Sequence, residues 1–346
     1  MERRKTKGVK VGKLKIGNNA PITVQSMCTT HTRDVNATLK QVHELEDAGC
    51  EIVRVSVEDM NEAKSLKKIK ENISIPLVAD IHFDYRLAIE SAKYADKLRI
   101  NPGNIGSNDK VKLVVKQAKD YNIPIRIGVN LGSLEKEIIE KFGLTSKAMV
   151  ESALKHIKIL EELDFYNTII SMKSSDIKRT VDAYRMMATK VGYPFHIGIT
   201  EAGTAYTGTI KSSIGIGSLL LDGIGDTIRV SLTTNPVDEV RAGIEILNSL
   251  NIRKGRTIIS CPGCGRTEID LIGLTKSVEQ ATANIKKPIK IAVMGCAVNG
   301  LGEAKEADVG VAGAKNFGII FRKGNVVNKV KKDKILKALL GEIDKL

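Results

Sequence analysis

Between about Pro21 and Leu250, short runs rich in Ile, Val and Leu recur, each followed by a longer stretch with helical periodicity. This alternation predicts parallel strands covered by helices. The apolar runs are Ile22 to Met27, Ile52 to Val57, Leu77 to His82, Lys97 to Asn101, Ile125 to Asn130, Thr168 to Lys173, Phe195 to Thr200 and Thr227 to Leu232. Helical patterns such as Ala37 to Ala48, Asp109 to Tyr121 and Val237 to Leu250 follow them. Eight such units in about 230 residues suit an α/β fold of the (β/α)8, TIM-like barrel type better than an open sheet.

Side chains alternate along a strand, so each run divides into two faces. Val53, Val55 and Val57 oppose Arg54 and Ser56, and Leu98 and Ile100 oppose Arg99 and Asn101. Ile125, Ile127 and Val129 oppose Arg126, Gly128 and Asn130; Ile170 and Met172 oppose Ser171 and Lys173; Ile228, Val230 and Leu232 oppose Thr227, Arg229 and Ser231. Asp80 and His82 share the polar face of the third run, His196 and Thr200 that of the seventh. The apolar faces must meet the helices, which turns the polar faces into the barrel.

Arg54, Arg99, Arg126, Lys173 and Arg229 therefore carry positive charge inward, against two obvious carboxylates, Asp80 and, just past the seventh run, Glu201. Barrel interiors are ordinarily packed with branched apolar side chains, and an unpaired buried cation is costly. The surplus predicts an anionic ligand at the carboxyl ends of the strands, where guanidinium forks match phosphate oxygens. Asn101, Asn130 and Ser231 are candidates to orient it, and His196 and Glu201 to transfer protons. The loops 101–106, 130–133 and 201–204 are rich in glycine and small polar groups and can present backbone amides to phosphate, although none is a P-loop or a dinucleotide fingerprint. Cys28 and His31 follow the first run and read as structural, and Cys50 reads as core.

The chain divides into a barrel over 1–250 and a smaller α+β domain over 256–346. Thr257 to Ser260 and Ile289 to Met294 read as strands that each end at cysteines, with a helix from Asp270 to Asn284 between them. Short strands follow from Val309 to Val327, and Ile335, Leu336, Leu339, Leu340 and Ile343 form one face of a closing helix. Cys261-Pro262-Gly263-Cys264 is a C-x-x-C pair, and Cys296 adds a third thiol ahead of a glycine-rich loop ending at Glu303. No fourth cysteine is at hand, and His31, His43, His82, His156 and His196 all lie far upstream, so a structural zinc site is poorly served. An iron-sulfur cluster tolerates three thiolates and an oxygen ligand, and Glu303 is the nearest carboxylate. Gly263, Gly295, Gly300 and Gly302 would let backbone amides approach the sulfurs. Zinc, a redox dithiol and inert thiols stay open on spacing alone.

The chain has 346 residues, 42% of them hydrophobic, enough for a large barrel with an appendage. Five cysteines and an amino terminus without an apolar leader core point to a reducing cytoplasm, and no run approaches a membrane span. The formal charge of +14 invites a nucleic-acid reading. With 4% aromatics, no tryptophan and no recognition module, nucleic acid is not the expected partner. A zinc-stabilised RNA-binding protein would leave the inward cations unused. A metal-independent phosphate-sugar aldolase or isomerase would leave the cysteines unused. An enzyme that pairs an anion-binding barrel with a cysteine-held metal or cluster uses both.

The last barrel helix runs back toward the end of the barrel opposite its mouth. Only about six residues, Asn251 to Arg256, then lead to the second domain, a reach of at most roughly 20 Å. That is marginal for covering the same chain's mouth. The expectation is a homodimer in which each cluster domain covers the other chain's barrel.

The sequence resembles the 4-hydroxy-3-methylbut-2-enyl diphosphate synthases of the methylerythritol phosphate route to isoprenoids over nearly its whole length. The stretches that carry the resemblance are Val78 to Phe83, Arg99 to Gly106, His196 to Gly203, Gly223 to Ser231 and the cysteine segments. The resemblance implies a [4Fe-4S] cluster held by Cys261, Cys264, Cys296 and Glu303. It implies 2-C-methyl-D-erythritol 2,4-cyclodiphosphate as substrate, opened and reductively dehydroxylated with two electrons from flavodoxin or ferredoxin. It also implies a dimer of the kind just described. In this chain Leu301 stands where the family loop commonly has proline, and Gly263 where Thr or Ser is common. The chain is the compact form, without the domain some relatives insert.

Overall fold

The structure, a computed structural model, describes residues 2–283, 285, 287–297, 302 and 304–346. It divides into two units, Met1–Ile246 and Leu247–Leu346. In the first, an antiparallel hairpin of β1 (Val9–Val11) and β2 (Leu14–Ile16) precedes eight parallel strands. These are β3 (Thr23–Met27), β4 (Ile52–Ser56), β5 (Leu77–Asp80), β6 (Lys97–Ile100), β7 (Ile125–Asn130), β8 (Thr168–Lys173), β9 (His196–Ile197) and β10 (Thr227–Ile228). They pair in the order β8-β7-β6-β5-β4-β3-β10-β9, and a parallel bridge from Ile170 to Phe195 brings β8 back to β9. The barrel expected from the periodicity is therefore present.

Helices between the strands begin where an aspartate can accept a free amide of the first turn. Asp34 accepts the Ala37 N–H, Asp59 that of Glu62 and Asp176 that of Arg179, opening Val35–Asp47, Met60–Glu71 and Ile177–Ala188. Among the described residues, no helix is long and apolar enough to cross a membrane.

The inward face changes character along the strands. Ile52, Val78 and Ile169 are buried together with Val9, Val11 and Ile16 of the hairpin. Two residues further along the same faces stand Arg54, Asp80 and Ser171. An apolar plug thus closes the amino-terminal end, and the polar interior begins above it. The strands of the hairpin, three residues each, are too short to show a period in the sequence.

β9 and β10 are shorter than the apolar runs predicted, because Gly198 interrupts them. A Cβ there would collide with the Arg229 carbonyl oxygen, so the close approach of these two backbones requires glycine.

In the second unit, β11 (Arg256–Ser260), β12 (Ile289–Met294) and β13 (Val309–Gly313) run parallel, and β14 (Phe317–Arg322) and β15 (Asn325–Lys331) extend the sheet antiparallel. Helices Leu271–Ala281 and Ile335–Ile343 bury Leu271, Val278, Ile335, Leu339 and Ile343 against Ile291, Val293, Val309, Val311 and Ile320. The Asp270-to-Asn284 helix predicted from sequence is thus shorter, capped by Asp270, and Asn284 lies outside the described residues.

Candidate active site

Strand register brings the predicted cations together. Asp80 pairs across with Arg99, and Arg99 with Arg126, so the three form a row around the barrel wall. Asp80 Oδ1 accepts from Arg99 Nη1 at 2.9 Å, and Asp80 Oδ2 lies 3.5 Å from Arg54 Nε. Burial alone would raise the Asp80 carboxyl, but Arg54 and Arg99 outweigh it and hold it down at about 2. Arg54 also points two donors at the Met27 sulfur, 2.7 and 3.1 Å away. Arg99 Nη1 lies 2.7 Å from His82 Nε2.

Arg99 crosses the wall above Gly128, where a Cβ would collide with its Nε. Gly128→Ala is expected to keep the fold, because the backbone there suits any residue, while displacing the guanidinium and raising KM on the order of tenfold. Steady-state kinetics beside a circular dichroism melt checks this; an unchanged KM would count against the phosphate contact expected of Arg99.

Arg126 is 1% exposed, and its Nε and Nη1 have no hydrogen-bond partner among the described residues. Burial, and then the repulsion of Arg54 and Arg99, push its pKa well down. Arg99 Nε, Arg229 Nε and the Asn101 Oδ1 are likewise buried without partners. Asn130 ends β7 half-buried, level with Lys173 on β8, and Ser231 is half-buried beyond β10. Lys173 Nζ lies 3.4 Å from His196 Nε2, and Thr227 Oγ1 lies 3.4 Å from His196 Nδ1. Burial first, then Arg126 and Lys173, drive the His196 pKa well down, which leaves a neutral ring between two partners. Glu201 is exposed and holds a left-handed φ of 52°, an uncommon conformation for a side chain of its size.

The interior holds two further charged groups, Lys97 and Glu239. Lys97 is fully buried on the same face as Arg99, with Nζ 3.3 Å from Gln25 Oε1. Its alternation with Leu98 was a readable signal. Glu239 is 4% exposed, comes from helix Pro236–Ser249, and adds a carboxylate beyond Asp80 and Glu201. A glutamate in a first helical turn reads as solvent-facing, and nothing local distinguishes this one. Cys28 and Cys50 are buried, and burial raises both thiols to about 12, which suits the structural roles expected for them.

In the second unit the two cysteine loops leave the carboxyl ends of adjacent parallel strands, β11 and β12. The Gly295 N–H donates to Cys261 Sγ at 3.2 Å, and the Arg266 N–H to Cys264 Sγ at 3.5 Å. The Cys264 N–H is held by Thr267 Oγ1 at 3.0 Å, and Gly263 takes a φ of 79° that glycine adopts without strain. Cys264 is exposed, and Cys261 and Cys296 are half-buried. Among the described residues, no three His, Cys, Asp or Glu side chains gather around one metal-ion position. A polynuclear cluster differs from a single ion in this respect, since each thiolate takes its own iron and amide donors stabilise the charged sulfurs. The donor set fits such a group. Glu303 and Leu301 lie outside the described residues.

Comparison with known proteins follows the same division. Residues 6–244 match the GcpE TIM-barrel domain, and residues 257–345 the GcpE protein C-terminal domain. A 4-hydroxy-3-methylbut-2-en-1-yl diphosphate synthase (flavodoxin) from Caldanaerobacter subterraneus subsp. tengcongensis is 58% identical, covering 99% of this chain and 98% of that protein. One of the same description from Clostridium perfringens is 55% identical, covering 99% of each. Among solved structures, a type I 3-dehydroquinate dehydratase from Clostridium difficile superposes with a TM-score of 0.54 at 14% identity, over 71% of this chain and 98% of that one. At that identity the likeness concerns the barrel fold alone.

Proposed function

The chain belongs to the GcpE family of 4-hydroxy-3-methylbut-2-en-1-yl diphosphate synthases, and we propose that its barrel binds 2-C-methyl-D-erythritol 2,4-cyclodiphosphate through the inward cations. The product is (E)-4-hydroxy-3-methylbut-2-enyl diphosphate. A carbon–oxygen bond of the ring opens and a hydroxyl leaves as water, so two electrons must enter and protons must be supplied. A [4Fe-4S] cluster, when bound, supplies those electrons one at a time, and flavodoxin, the donor named in the relatives, is the proposed source. Cys261, Cys264, Cys296 and Glu303 would hold it.

The observation that carries this reading is the fully buried Arg126, with two donors unpartnered among the described residues, in the field of Arg54, Arg99 and Lys173. Buried N–H groups call for acceptor oxygens, and a diphosphate brings several. Arg99, Arg126 and Arg229 are assigned to phosphate, and Asn101, Asn130 and Ser231 to orientation. The neutral His196 is assigned to hold Lys173 toward the ligand. Proton transfer is assigned to Glu201, exposed just past β9 and held in a left-handed backbone conformation. The homodimer with exchanged cover rests on the short connection between helix Pro236–Ser249 and β11. An active monomer in sedimentation would remove it.

The test is iron and acid-labile sulfide per chain after oxygen-free purification, with turnover of the cyclodiphosphate by reduced flavodoxin. About four of each in the parent, depleted along with turnover in Cys296→Ala, is the expected result. Stoichiometric zinc without sulfide would contradict the cluster assignment.

A further inference from the structure

We infer that Glu239 is a positioning residue for the substrate site, holding Arg229 and the backbone beyond β10 so that one guanidinium donor stays free for phosphate. The inference rests on the proposed binding of the cyclodiphosphate in the barrel.

The carboxylate ties together three segments far apart in sequence. Glu239 Oε1 accepts the Leu232 N–H at 2.9 Å, next to Ser231. Oε2 accepts the Ser26 hydroxyl on β3 at 3.2 Å and faces Arg229 Nη2 at 3.4 Å. Each of these partners donates, so Glu239 serves here as an acceptor on both oxygens. Arg229 meets it through Nη2, while its Nε is buried without a partner among the described residues. The ion pair therefore leaves part of the guanidinium uncommitted, in contrast to a bidentate fork that would use two parallel donors on one carboxylate. Asp80 plays the matching part across the barrel, meeting Arg54 and Arg99 and leaving Arg99 Nε free. Two carboxylates thus fix three arginines without neutralising the interior. Glu239 also offsets the mutual repulsion of Lys173 and Arg54, whose ionised forms burial and the neighbouring arginines oppose. Its origin on helix Pro236–Ser249 gives it this reach, since a strand residue at the same level would project from the wall it is meant to brace.

The test is a double-mutant cycle on the cluster-loaded enzyme, with Glu239→Gln, Arg229→Met and the combination. Glu239→Gln should raise KM for the cyclodiphosphate on the order of ten- to a hundredfold, with a smaller change in kcat and unchanged iron and sulfide content. In the Arg229→Met background the same substitution should add less than about threefold, because its effect runs through Arg229. Glu239→Asp, which keeps the charge but shortens the reach, provides the second variant if Gln impairs folding. It should also raise KM and show the same lack of additivity. Fully additive effects, or a KM unchanged in a folded Glu239→Gln protein, would overturn the role of Glu239 while leaving the substrate assignment standing. A parent enzyme that does not bind the cyclodiphosphate would overturn that assignment, and this role with it.

Discussion

Arg126→Met is expected to weaken binding of the cyclodiphosphate about 30- to 1,000-fold, or about 2–4 kcal/mol, while the protein melts no lower than the parent. The two halves of this expectation have one cause. Arg126 is 1% exposed, its Nε and Nη1 are unpartnered among the described residues, and Arg54 and Arg99 repel it, so the barrel itself gives this desolvated cation little in return. Replacing whole buried ion pairs by apolar side chains is often neutral or stabilising by about 1–4 kcal/mol, and a cation that holds no pair of its own has less to lose. The ligand loses a charge-assisted contact in a site of low dielectric, where such contacts are strongest. Calorimetric titration and a thermal melt on the same preparation measure both. An unchanged Kd would remove Arg126 from the phosphate site, and a melting point lower by more than about 5 °C would mean that the guanidinium stabilises the barrel after all.

Asp80→Asn is expected to act in the opposite direction on stability, lowering it by about 3–5 kcal/mol, with most of the substrate affinity lost as well. Here a buried carboxylate, 2% exposed, is the counter-charge to Arg54 and Arg99, and an amide of the same shape leaves both cations uncompensated. The pH dependence gives an independent reading. Asp80 is held at about 2 in the folded chain against an ordinary 3.8, because Arg54 and Arg99 overcome the effect of burial. A depressed carboxyl stabilises the fold above its unfolded value and loses that contribution as pH falls through the folded one. The contribution, about 2 kcal/mol, should therefore disappear between about pH 4 and pH 2 in the parent. Chemical unfolding of parent and variant across that range should show the gap between them narrowing toward low pH. A gap that stays constant would show that Asp80 acts by shape and not by charge.

Both expectations begin with residues that could be read in the chain. The period of two along β4, β6, β7 and β8 assigned Arg54, Arg99, Arg126 and Lys173 to the interior before any pairing was known, because alternation is a local property of extended backbone. The recurrence of strand and helix specified the barrel for the same local reason, and the C-x-x-C spacing with Cys296 marked the cysteine loops. Long matches to one family then supplied the chemistry, which spacing alone had left open between iron-sulfur, zinc and free thiols.

Other features came only from tertiary structure, and they share a physical origin. The Gly295 N–H reaches Cys261 Sγ because β11 and β12 lie side by side, although the partners stand 34 positions apart. The hairpin that plugs the barrel has strands too short to show a period, and its role exists only where Ile52, Val78 and Ile169 meet it. Glu239 sits in a first helical turn, where sequence alone reads an acidic residue as solvated, and lies 213 positions from Ser26. Local pattern determines which way a side chain points from its own backbone. Which distant donor it meets there depends on register and barrel closure, and those are set by packing across the whole sheet.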